Sequence, residues 1–332
     1  MFSTSYLCTN EQAPENNPFT FLISSMALAE TRLSFLLHPK AKNRAKPLCF
    51  PFEDRLSRRL KSLLPIPESS TSIPLSWLSN AVDLLTQTLA DAAAVFSDQS
   101  LSSDQSAIAV HLNSTIRLLD ACNSVSAATD TVLSRRLLLL LALRHLSFLG
   151  EKNVSRAKDL LSEWETYVPL RSSHHLVIPD PPPRGSISAT RRAIYAVEAV
   201  SYLVIAPLSA VFGADEDIRL GKLAAVPGEF MWSSAFNEVG AAVWGRIGEG
   251  FPGEVVAVEV SVGSLRVAID EVSDRDDGER MRNAVVVVER EEERLTAALN
   301  CLSDAVKGLF ESALCARGAA LQNFRVRSQK CC

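Results

Sequence analysis

Apolar positions recur along most of this chain at the three-and-four spacing of a helix, and rarely at the two-residue alternation of a half-buried strand. FEDRLSRRLKSLL places Phe52, Leu56, Leu60 and Leu63-Leu64 on one face and arginines on the other, which predicts a short amphipathic helix stopped by Pro65 and Pro67. A second helix is expected from Leu75 to about Phe96, with Leu78, Val82, Leu85, Leu89 and Ala93 along its stripe, and polar residues 97 to 106 connect onward. Two long helical patterns follow, from about Ala107 to Asp130 and from Ser134 to Tyr167. The stretch RRLLLLLALRHLSFL is apolar nearly all round, so it is expected in the middle of a bundle. Arg135-Arg136 and Arg144-His145 bracket only seven apolar residues there, far short of the ~20 that cross a bilayer.

Beyond the Pro-rich stretch Val177 to Ser186, the segment Ala193 to Gly213 has the length of a membrane span. Glu198, Pro207, Ser201 and Ser209 oppose a span, so two readings stay open: a buried bundle helix, or a helix inserted in or lying on a membrane. An amphipathic helix is expected between Val226 and Gly253, ending in a Gly-rich turn. EVVAVEVSVGSLRVAIDEV is strand-like in propensity, yet Val258, Val262, Leu265 and Ile269 keep helical spacing, and a helix is expected. Ser273 to Glu279 reads as an acidic loop. Leu295, Leu299, Leu302, Val306, Leu309, Ala313, Ala316 and Ala320 then alternate fours and threes, a heptad seam on a helix expected from about Arg280 to Arg327.

These elements predict an all-α fold: an elongated multi-helix bundle with a long C-terminal heptad-patterned helix. Its parts are a leader at 1–51, an N-terminal helical part at 52–176, the linker at 177–186, a C-terminal helical part at 187–327 holding the apolar segment 193–213, and a tail at 328–332. Composition agrees: glycine numbers 14 of 332 residues, below the average of about 7%, where sandwiches and nucleotide-binding α/β folds need many. A formal charge of −4 gives no electrostatic case for nucleic acid. The leader reads either as an irregular cytosolic segment or, from Arg32, Lys40, Lys42, Arg44 and Lys46 with no acid between Thr31 and Pro51, as a chloroplast transit segment. Met26 is an alternative start.

Candidate chemistry is sparse. Seven scattered cysteines indicate a reducing compartment, cytoplasmic or membrane-associated, and Cys122 and Cys301 read as small core residues. No cysteine pair has zinc spacing, and His174-His175 has no ligand partner at suitable distance in sequence. GRIGEGFPG reverses the dinucleotide fingerprint, and DRDDG lacks the later positions of a calcium loop. Glu289, Glu291, Glu292 and Glu293 interleave with Arg290 and Arg294 as a charged helix surface. The sequons at Asn113 and Asn153 fall in helical patterns and read as chance matches. Catalytic residues, metal ligands and cofactors are therefore expected to be none. Cys331-Cys332, near Arg325, Arg327 and Lys330, is a candidate lipidation site, and Asp120, Arg144 and Glu198 are the candidate buried charges.

Three stretches together resemble the plant Bypass family of Bypass-one-like proteins: LSWLSNAVDLL from Leu75; STIRLLDACNSVSAATDTVLSRRLLLLLALRHL, with Leu119-Asp120-Ala121-Cys122-Asn123 matching the family's LLDxCN element; and the closing ALNCLSDAVKGLFESALCARGAALQNFR. The likeness runs from about Phe52 to Arg327 and is weak between 214 and 275. It implies a helical plant protein whose relatives restrain a root-derived mobile signal that arrests shoot growth, with no enzymatic activity, cofactor or functional residue to carry over. The expected function is a non-enzymatic regulatory or adaptor protein of plant development, binding protein partners through the C-terminal helix, with membrane contact through Ile194 to Phe212 as a further expectation. The rival readings are a carrier or enzyme for a small apolar metabolite in the bundle core, and a single-pass membrane protein linked to vesicle trafficking.

Overall fold

A computed structural model describes residues 46–328 apart from 65–71, 98–104, 149, 167–179, 183–186, 213–222, 248–251 and 272–276. The leader before Lys46, most of the Pro-rich linker and the tail from 329 lie outside the described residues. Every regular element described is an α-helix, so the fold is all-α as the periodicity requires: α1 Lys46–Ser62, α2 Leu75–Ser97, α3 Gln105–Ser147, α4 Glu151–Thr166, α5 Ala189–Val211, α6 Ser233–Ile247, α7 Gly253–Asp270 and α8 Asp277–Ser328. The spacing locates α2, α5, α7 and α8 to within a few residues. Helix α1 starts earlier than expected, at Lys46, with Pro47 in the first turn and Pro51 inside. Helix α8 already begins within the expected acidic loop.

The two longest helices form an antiparallel spine. Moving along α3 from Leu112, whose carbonyl accepts from the Arg317 guanidinium, to Arg136, which pairs with Glu292, α8 is read backwards over almost the same length. At one end the spine packs with α2 and α5, at the other with α4 and α7, while α1 and α6 cover α5 and α1 also meets α2. All eight expected seam residues of α8, from Leu295 to Ala320, are buried. Helix α5 has 89% of its apolar window inside the protein. Its N-terminus is fixed by Ser188, whose Oγ accepts from Arg191 N at 3.2 Å.

Polar contacts tie the layers. Glu53 of α1, 2% exposed, accepts from Arg192 Nε at 2.5 Å, Arg192 Nη2 at 3.0 Å and Met231 N at 3.0 Å, while the same guanidinium donates to Glu229 O and lies 4.6 Å from the Phe230 ring centroid. Beneath it Tyr195, Phe230, Trp232 and Phe236 pack ring against ring at 5.0 to 5.8 Å. The carboxylate of Glu254 on α7 accepts from Leu75 N at 3.3 Å and so caps α2 from another element.

Four expectations need correction. The break after Asp130 is absent, because Thr131 and Ser134 bond back to carbonyls four residues earlier without interrupting the helix; α3 ends instead at Ser147 and α4 starts at Glu151. The amphipathic helix after Val226 starts only at Ser233, since Pro227 and Gly228 shape a turn that Asn237 closes through Val226 N and O. Cys301 is exposed, one position before the seam residue Leu302. The Leu-rich stretch is not buried all round: Leu139, Ala142, Leu143 and Leu146 face inward, while Leu137, Leu140, Leu141 and Phe148 face outward.

Candidate functional site

The three candidate buried charges do not converge. Asp120 and Arg144 both stand on exposed positions of α3, 24 residues or about 36 Å apart along the helix, and neither is buried. Both fall outside the inward stripe, a fact that the all-round apolarity near Arg144 concealed. Glu198 on α5 is half-buried beside Ser114 and Arg117 of α3; burial raises its pKa, and the Ser114 hydrogen bond and the Arg117 charge oppose that rise. Cys331 and Cys332 lie outside the described residues, as do His174 and His175. No group of three or more His, Cys, Asp or Glu side chains that could hold a metal is found among the described residues.

A small cleft, open to solvent, forms elsewhere, where α3, α4, α7 and α8 meet. Val132, Leu139, Val258, Leu295 and Leu299 make it apolar, and the adjacent arginines of α3 give it a charged rim. Arg135 lays its guanidinium 3.8 Å from the Trp164 ring centroid and donates from Nε to Trp164 O at 2.7 Å. Burial lowers the pKa of Arg135, opposed by the charges of Glu259 and Glu165. Arg136 Nε stands 2.7 Å from Glu292 Oε1, and Thr296 Oγ1 donates to the same oxygen at 2.7 Å. Glu292 is only 3% exposed. The cleft thus has an apolar body, a half-buried cation and a carboxylate that accepts from Thr296 and is ion-paired with Arg136, an arrangement suited to binding and positioning.

Glu292 corrects the reading of the Glu-rich run as a wholly solvated face. Its signal was available: extending the four-three alternation backwards from Leu295 reaches Glu292, Val288 and Val285, then Met281, and Val288 and Met281 are buried too. A carboxylate on a heptad seam demands a partner, and the Arg135-Arg136 pair supplies one. The outer face of the same part of α3 is the second notable surface, with Leu137, Leu140, Leu141, Arg144 and Phe148 exposed.

The quoted Leu119 to Asn123 element sits on α3, and Cys122 within it is buried, its thiol pushed up to about 12 chiefly by burial, so it packs as a neutral side chain. Comparison with known proteins extends the likeness beyond these residues. The chain is 26% identical over 305 residues to UPF0496 protein 4 of Oryza sativa subsp. japonica, covering 84% of this chain and 64% of that protein. It is 24% identical over 243 residues to Protein BPS1, chloroplastic, of Arabidopsis thaliana, covering 68% of this chain and 65% of that protein. The chain is a homologue of Bypass-like plant proteins. The chain spans 64% to 65% of the length of these curated relatives. No family model matches it. No solved structure matches the chain.

Proposed function

We propose that this protein is a non-enzymatic regulatory or adaptor protein of plant development. The homology to Protein BPS1 and to UPF0496 protein 4 carries the reading. The use of the inner charges supports it: Glu53 and Glu292 are held by arginines of other helices, so they serve architecture. In its finer form the protein restrains a root-derived mobile signal that arrests shoot growth. Grafting tests this: wild-type shoots on roots lacking the protein should arrest and recover when the roots express the full chain. Normal shoots on such roots would overturn it. The name of Protein BPS1 and the basic bias of the leader favour chloroplast import over a cytoplasmic or membrane-associated location; a C-terminal fluorescent fusion that stays outside plastids removes that part.

A second reading, a carrier for a small apolar molecule, draws on the cleft beside Arg135 and Trp164. Trp164 fluorescence that stays unchanged, against a Trp164→Phe reference, on titration with small apolar carboxylic acids would count against it.

A further inference from the structure

The α3–α4 end of the bundle carries an apolar seam that no described helix covers. Leu137, Leu141 and Phe148 are 67%, 43% and 61% exposed, with Arg144 exposed between the last two. Their spacings of four, three and four are those by which one helix packs along another, and Leu140 broadens the strip. From Leu137 to Phe148 it is about 16 Å long, or three turns. Single exposed apolar residues are ordinary, whereas several large ones in line mark an interaction surface.

Charge narrows what covers it. Helix α3 has no acidic residue after Asp130. Arg144, Lys152 and Arg156 are exposed and make no ion pair among the described residues. Several cations elsewhere on the bundle pair, Arg58 with Asp54, Lys158 with Asp270, Arg266 with Glu165 and Arg294 with Glu291, while Lys61, Arg282 and Lys307 stand singly among the described residues, each away from an apolar strip of this kind. Of the exposed acids of α4, Asp159 comes one turn after Arg156 and Glu163 two turns after it. A second copy of this seam would bring the same cations together and be repelled. A helix lying along α3 matches the four-three spacing of the seam and meets Arg144 within it, with Lys152 and Arg156 on the first turns of α4. We infer that this seam binds an acidic amphipathic helix of a partner protein, whose aliphatic side chains fill the spaces between Leu137, Leu141 and Phe148 and whose carboxylates meet Arg144, Lys152 and Arg156. The inference rests on the adaptor reading and gives it a docking surface.

The test uses the full chain and a fluorescein-labelled synthetic peptide of three heptads, with leucine on its seam and glutamate flanking it; a control peptide carries lysine for glutamate. Fluorescence anisotropy should show salt-sensitive binding of the glutamate peptide and none of the lysine peptide. Leu141→Asp and Arg144→Glu should each weaken that binding tenfold or more, and Leu137→Ser should do so in part, with thermal unfolding unchanged because all three side chains are exposed. Equal binding by wild type and variants, or none up to about 1 mM peptide, overturns the inference. So does co-sedimentation with phosphatidylserine-containing vesicles that the same variants abolish, since that assigns the strip to a membrane. The grafting result is independent: if the wild-type chain restores shoots and Leu141→Asp restores them equally, the docking surface fails while the adaptor reading stands.

Discussion

His111 stands where gaining a proton opposes the fold. It lies on α3, 1% exposed, its ring 4.7 Å from that of Phe96 on α2, and neither ring nitrogen has a hydrogen-bond partner among the described residues. Burial first, and the Arg317 charge second, lower its pKa from 6.5 to about 4. The folded state therefore holds this proton less tightly than the unfolded chain. Stability from this group is fully present above pH 6.5, falls as pH drops through the window between 6.5 and 4, and levels off below it. At 1.36 kcal/mol per unit the whole effect is about 3.4 kcal/mol. Carboxylates start to titrate below about pH 5, so the clean comparison is pH 7.5 against 5.2, where His111 alone accounts for about 1.7 kcal/mol. The perturbation is His111→Leu, which removes the titrating ring and two unpaired nitrogens while keeping contact with Phe96. Urea unfolding followed by far-UV circular dichroism should show the wild type losing about 1.7 kcal/mol more than the variant over that range. At pH 7.5 the variant should match the wild type within about 1 kcal/mol or exceed it, because an unsatisfied buried polar group is itself unfavourable. Equal pH dependence in the two proteins, or a His111 NMR titration midpoint near 6.5, would refute the argument.

Three further outcomes follow from the contacts. Arg136→Leu leaves Glu292 buried with only Thr296 and should cost about 2–3 kcal/mol in urea unfolding; adding Glu292→Leu should recover most of it, and a strictly additive double mutant would deny the coupling. Glu53→Gln keeps the shape but removes the charge facing Arg192 and weakens the bond from Met231 N, which should cost about 2–3 kcal/mol and expose the aromatic cluster to faster Trp232 quenching. Ser188→Ala removes the cap of α5 and should lower stability by about 1 kcal/mol by the same denaturation assay, since Arg191 N loses its acceptor.

Periodicity alone located α8, one half of the spine, because it repeats one seam for many turns, so a missed residue changes little. It failed at the Leu-rich stretch for a physical reason: where every position from Leu137 to Leu143 is apolar, no phase survives to say which side faces inward. Phase had to come from contacts, Arg135 with Trp164 and Arg136 with Glu292, and those depend on pairings far apart in the chain. The same holds for Glu198, whose half-burial is set by α3 across the bundle. Asp120 and Arg144 were misplaced because a charge inside an apolar run looks buried when the run is taken as a whole. Glu292 is the opposite case, a charge inside a charged run that the seam register exposes once it is extended by one turn.

That register explains why a carboxylate belongs on an otherwise apolar seam. Two long helices joined mainly by leucine, valine and alanine can slide by a heptad and still bury apolar surface, so uniform seams specify alignment poorly. In the observed alignment Glu292 meets Arg136 and Thr296. Slid by seven residues, its carboxylate would face the region of Leu143, where Arg144 is turned outward to solvent, or that of Thr129, and would be left without its counter-charge. The Arg317 bond to Leu112 O and the Ser312 bond to Thr86 O fix the far end of α8 in the same way. With α3 so aligned and Arg135 drawn inward over Trp164, Leu137, Leu141, Arg144 and Phe148 are turned outward together. The buried pair thus determines which face of the Leu-rich helix is offered to a partner, and the Arg136 and Glu292 variants should disturb peptide binding at the outer seam without touching it.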